Sequence, residues 1–140
     1  MSQHIARAIY SRLTVNIGES ATNPLKAAVS SRIYAIEAPA SSALPLVVWT
    51  MDDPDVSRFF GGKTRLTVSF TVTVFAKADA GVDAVGAIEG HVFDLLDDED
   101  VAVVGFDRGV IHSTARGSIT PDGDYLRSDS TFQIVATESP

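Results

Sequence analysis

The chain has 140 residues, of which 45% are hydrophobic and 21% charged, with a formal net charge of −7 and no cysteine. That length suits one domain spanning residues 1–140, and the composition is globular rather than disordered. The lack of cysteine excludes thiolate catalysis, Cys-ligated zinc, iron–sulfur clusters and disulfides, and apolar runs such as Leu44–Trp49 are too short to span a membrane.

Charge is uneven along the chain. Residues 1–50 carry four basic and two acidic side chains, and residues 51–140 carry seven basic and sixteen acidic ones. With no basic cluster, a phosphate backbone finds few partners, so direct nucleic-acid binding is not expected. The opening MSQHIARAIYSRL has no continuous apolar stretch of the signal-peptide kind, which makes synthesis in the cytoplasm the expectation.

In chain order, Gln3 to Val15 places Ile5, Ile9 and Leu13 at helical spacing with Arg7 and Arg12 off that stripe, which predicts an amphipathic helix. Asn16 to Ser31 reads as a loop followed by one helical turn around Leu25–Val29. RIYAIE (32–37) is a short strand closed by Pro39. Leu46 to Met51 is nearly continuous in apolar residues, as a strand buried on both sides would be, with Pro45 at its start. Asp52 to Lys63 is a long connection with Pro54, Phe59, Phe60, Gly61 and Gly62, and it is the first place to look for a partner surface.

The cleanest pattern follows. Leu66, Val68, Phe70, Val72 and Val74 alternate with Thr67, Ser69, Thr71 and Thr73, giving a long strand with one apolar face and one hydroxyl face. The uncharged hydroxyl face suits ordinary solvent exposure, a subunit contact or a lumen lining. Val82, Val85, Ile88, Val92, Leu95 and Leu96 then recur at three- and four-residue steps, a helix over 80–96 with Asp83, Glu89 and Asp94 between the apolar positions. VAVVGF (101–106), Arg108 to Ile119 and Tyr125 to Thr137 read as strands, the last two joined by the turn Pro121-Asp122-Gly123. The order implies an α+β fold, a mostly antiparallel β-sheet with two main helices packed on one face.

No catalytic or cofactor pattern is complete. His4, His91 and His112 form no ligand array, no serine sits in a nucleophile elbow, and Gly105 to Gly109 has neither dinucleotide-binding nor P-loop spacing. His91 and Asp94 share a helix face, but two ligands without a third seldom hold a metal. The acidic run Asp97, Asp98, Glu99, Asp100 lacks EF-hand spacing and reads as a helix exit or a surface for a basic partner. No cofactor and no metal are expected. The competing class is a small ligand-binding domain or enzyme with a pocket between helix and sheet near His91 or His112.

An AIYSRL helix, then RIYAIEAPASSALPLVVW (32–49), a long alternating strand, an apolar helix ending in Leu95-Leu96, and a terminal strand with FQIVA together resemble the tail terminator, or tail completion, proteins of long-tailed bacteriophages. The specific part is Arg32-Ile33-Tyr34, Ala38-Pro39 and Leu44-Pro45. The resemblance implies a non-enzymatic virion protein at the tail–head junction. Its partners would be copies of itself in a homohexameric ring, the tail tube protein and the head–tail connector, with DNA merely passing through and no membrane involved. Other neck or head-completion proteins are the alternative. The candidate contact residues are Asp53, Asp55, Arg58, Phe59 and Phe60 in the middle connection, and Asp97, Asp98 and Asp100 in the acidic run.

Overall fold

Two periodicities build the molecule, and in the computed structural model they appear where the sequence places them. The structure describes residues 2–14, 23–39, 43–52, 55–58, 64–104, 106 and 108–137. The elements are α1 (Ser2–Thr14), α2 (Pro24–Ala28), β1 (Ile33–Ala35), β2 (Leu46–Met51), β3 (Asp55–Arg58), β4 (Thr64–Lys77), α3 (Val82–Leu96), β5 (Glu99–Val101), β6 (Arg108–Asp122) and β7 (Tyr125–Thr137). The fold is α+β. One seven-stranded sheet runs in the order β1-β2-β4-β7-β6-β5, and β3 pairs with the free start of β4. β1 and β2 pair in parallel, and the other pairings among the described residues are antiparallel.

The alternation in β4 has the expected consequence. Leu66, Val68, Phe70, Val72, Val74 and Ala76 are buried on one face, matched on β7 by Phe132, Ile134 and Ala136. Phe132 stacks on Phe70 at 5.6 Å and meets Phe93 of α3 at 5.0 Å between ring centroids. α3 therefore lies against the middle strands, with Val85, Ile88, Val92, Leu95 and Leu96 turned inward. α1 and α2 pack on α3 and on each other, so the helical layer holds three helices where two main ones were expected. Ile5, Ile9 and Leu13 of α1 are fully buried at the predicted four-residue spacing.

Polar links fix the helices. Arg12 Nε donates to the carbonyl of Leu95 at 2.6 Å, in the last turn of α3, and its guanidinium pairs with Glu99 at 3.1 Å. A cation there satisfies one of the carbonyls that a helix end leaves open. Asn23 caps α2 by accepting from Lys26 N at 2.9 Å, while its Nδ2 donates to Leu13 O at 2.9 Å. Asn23→Ala is expected to cost about 2 kcal/mol, since it removes a cap and strands a buried carbonyl. Urea unfolding checks this, and an unshifted midpoint would show the link to be dispensable.

Glu89 departs from its reading as a polar-face residue. It is buried between α3 and the sheet, where it accepts from Arg116 Nε at 2.6 Å and Ser128 Oγ at 2.7 Å. Arg116 also lies 4.4 Å over the Phe93 ring.

Three boundaries differ from the expectation. The 52–63 connection is interrupted by β3, whose backbone pairs Asp55 with Thr67 and Arg58 with Thr64. The VAVVGF segment is not one strand: β5 ends at Val101, Val103 turns into the core, and Phe106 N donates to Val103 O at 3.1 Å. β6 continues through Pro121 to Asp122, so its hairpin turn is Gly123-Asp124, with Gly123 at φ 63°. β6 also bulges between Arg116 and Ile119, where a Cβ on Gly117 would collide with the Asp129 backbone.

Candidate functional site

The parallel pair β1–β2 is where the most specific sequence motif becomes structure. Val47 N donates to Arg32 O at 2.9 Å, and Arg32 Nε donates to Pro45 O at 2.9 Å. Arg32 thus clamps the start of one strand to the start of the next. Just past β1, Ile36 N donates to Trp49 O at 2.8 Å.

Residues 36–39 and Leu44 wall a groove of about 810 Å³. Its floor is the sheet face opposite the one α3 covers, because strand side chains alternate. Leu46, Val48 and Thr50 of β2 lie beside Thr71, Thr73 and Phe75 of β4, and then Arg127, Asp129 and Thr131 of β7. Ile36, Glu37, Ala38, Pro39 and Leu44 form the wall, and Tyr125 closes one end. The continuous apolar run of β2 now has its reason. Val47 and Trp49 face the core, whereas Leu46 and Val48 are covered from the groove side. The hydroxyl face of β4 is accordingly a groove lining over Thr71 and Thr73 rather than plain solvent-exposed surface.

Polar groups in the floor satisfy one another. Thr73 Oγ1 donates to Asp129 Oδ1 at 2.5 Å, Arg127 Nε contacts both Asp129 oxygens at 3.0 and 3.2 Å, and the Arg127 guanidinium lies 5.5 Å from the Phe75 ring. This leaves an amphipathic trough that holds a hydroxyl–carboxylate pair, Thr73 and Asp129, and has no histidine in its lining. Ile36 on the rim has φ 71° and is 78% exposed. A β-branched residue in the left-handed region is strained by about 1–3 kcal/mol, and such outliers concentrate at functional sites.

A second depression, about 370 Å³, lies between α1 and the β5 end, lined by His4, Arg7, Ala8, Ser11, Arg12, Asp100, Val101, Ala102 and Val104. Val104 beside it is 67% exposed.

The predicted contact residues separate on the structure. Asp53, Phe59 and Phe60 lie outside the described residues, and Asp55 and Arg58 belong to β3. In the acidic run, Asp97 Oδ1 accepts from Ser113 N at 2.8 Å and Glu99 holds Arg12, so these two work inside the fold. Asp98, at φ 56°, and Asp100 are exposed. The pocket of the competing reading was expected between helix and sheet near His91 or His112. The groove instead lies on the opposite sheet face, and neither histidine lines either depression. No cluster of three or more His, Asp or Glu residues suited to a metal occurs among the described residues. Among them too, no helix is long and apolar enough to cross a membrane. The groove was missed in the sequence; its one local signal was the unbroken run Leu46–Trp49.

No family model matches the chain, and no curated protein matches it either. Solved structures do. One is a chain from a structure described as the virion of a native gene transfer agent particle, with 21% identity, a TM-score of 0.74 and coverage of 97% of this chain and 96% of that one. A second solved chain is 14% identical with a TM-score of 0.70, covering 100% and 98%. At these identities the likeness is one of fold, shared from end to end with a chain of that virion particle.

Proposed function

We propose that this protein is a structural component of a phage-like virion and, within it, the tail terminator. In this reading it closes as a homohexameric ring on the head-proximal end of the tail tube, stops tube growth and presents a surface to the head–tail connector. The observation that carries the reading is the likeness over 97% of this chain and 96% of the other to a chain of a gene transfer agent virion. The Arg32 to Pro45 motif supports it from the sequence side, because the residues that resemble terminators are the ones that build the clamp and groove.

The assay is growth of tail tubes from their purified subunit, with this protein added at a few copies per tube end. Growth is expected to stop and tube lengths to stay short. Unchanged elongation would overturn the terminator role, and capping of the head connector alone would favour another neck position. The 53–62 segment and the exposed Asp98 and Asp100 are proposed as contacts in that assembly. Deleting Phe59–Gly62 is therefore expected to abolish the arrest while the folded domain persists, and full arrest by the deletion variant would remove the segment from the contact set.

A further inference from the structure

We propose that Asp97 guards the β6 edge of the sheet: its carboxylate holds the Ser113 N–H, so a strand from a second copy of this chain finds no place to pair there. Copies are left to meet through side chains instead of by lengthening one sheet. The inference goes beyond the terminator reading and does not depend on it, because it concerns the folded chain alone.

β5 covers only the beginning of β6, from Gly109 to Ile111, and beyond that no strand lies beside β6 on the same side among the described residues. An uncovered edge presents backbone N–H and C=O groups that template pairing with another chain. Two more steps of the β5 register would set Asp97 against Ser113, but the backbone leaves the ladder first. Asp97 N closes the last turn of α3 on Phe93 O at 2.9 Å, and Asp98 turns the chain at φ 56°. The Asp97 side chain then stands in for a strand, its Oδ1 accepting from Ser113 N at 2.8 Å. Farther along, the β6 register shifts between Ser113 and Ala115 and again between Arg116 and Ile119, and Pro121 brings no N–H.

The β1 edge is closed in a similar way. Arg32 O and Ile36 N engage β2, so Ile33 and Ala35 turn their backbone groups outward. Ile33 N donates to Ser31 O at 3.0 Å, and Ala35 O accepts from Glu37 N at 2.8 Å. The second bond spans three residues centred on Ile36, whose φ of 71° is that of the rarer, strained form of this γ-turn. The strain at Ile36 thus has a use, since it ends β1 with an outward carbonyl already occupied. β3 has only four residues, and very short edge strands are poor templates.

Sedimentation velocity over a range of concentrations, without tail tubes, tests the guard. Asp97→Ala releases Ser113 N, and the mass is expected to rise with concentration to at least about twice the parent's, as an open series carrying the infrared band of intermolecular β-sheet. Asp97→Asn keeps the Oδ1 acceptor and is expected to sediment as the parent does. Asn23→Ala, destabilised at α2 instead of at the edge, is expected to do the same. An Asp97→Ala chain that keeps the parent's mass at every concentration overturns the guard. So does self-association by Asp97→Asn, which would trace the effect to lost charge, or by Asn23→Ala, which would trace it to lost stability. Amide hydrogen exchange of the unaltered protein needs no variant to fold: Ser113 is expected to exchange at least about tenfold more slowly than in an unstructured peptide, and exchange at the peptide rate overturns the guard. None of these outcomes bears on the arrest of tail-tube growth, which tests the terminator reading separately.

Discussion

Val68→Asp is expected to unfold the protein, whereas Thr71→Asp, three residues along the same strand, is expected to leave a folded monomer. Val68 is fully buried and lies in register with Ile134 of β7, which is itself beside Ile111 of β6, and all three are inaccessible. An aspartate there has no donor within its row. The lost burial of the valine, about 2 kcal/mol, adds to several kcal/mol for the unpaired charge. Together these approach the whole stability of an ordinary domain, about 5–15 kcal/mol. Thr71 faces Thr50 and Thr131 in the groove floor, so a carboxylate there keeps water, at a cost of under about 1 kcal/mol. Val72 is a weaker test of the same facing. Its row neighbours Trp49 and Ser130 each carry a buried polar atom with no partner, and these would receive the new carboxylate. Circular dichroism with thermal melts separates the outcomes, and equal losses for Val68→Asp and Thr71→Asp would mean that the strand faces are wrongly assigned.

The second large effect is expected at Glu89. Its carboxylate receives Arg116 and Ser128 from two different strands, so it ties α3 to the β6–β7 hairpin. Glu89→Ala leaves Ser128, at 0% exposure, without its acceptor and a cavity beneath Arg116. Breaking a buried, hydrogen-bonded ion pair by removing one partner typically costs about 3–5 kcal/mol. Arg116 is itself 61% exposed along its side chain, so solvent screens its loss and Arg116→Ala is expected to cost much less. Urea denaturation of the two variants checks the asymmetry. Similar losses would place the energy in the ion pair rather than in the buried carboxylate and its serine.

What the sequence made legible is the part governed by period. The two-residue alternation of β4 and the three- and four-residue steps of α3 both appear within a few residues of their expected bounds. Glu89 was illegible because its burial depends on Arg116 and Ser128, 27 and 39 residues away, which no local pattern records. β3 was hidden because four residues, Asp55 to Arg58, are too short to show alternation. VAVVGF reads as a strand by composition, yet Val103 is needed in the core and its turn ends the ladder at Val101. The groove follows from a long-range clamp between Arg32 and Pro45, so its wall was unreadable even though the double-sided burial of β2 was plain.

Similar logic explains why the acidic run divides. Asp97 and Glu99 are tied to Ser113 and Arg12, across the fold, while Asp98 is exposed. Clustered charge in a sequence therefore overstated the surface available to a partner here. The groove, which mixes apolar side chains of β2 with polar ones of β4 and β7, leaves little local signature in the sequence.

The most direct test of the central claim is the light-scattering mass of the protein after size exclusion, alone and after addition of tail tubes, with negative-stain images of the same fractions. A discrete ring of hexamer mass is expected, either free or seated at one end of each tube. A chain that stays monomeric and leaves tube ends bare in the presence of tubes would contradict it.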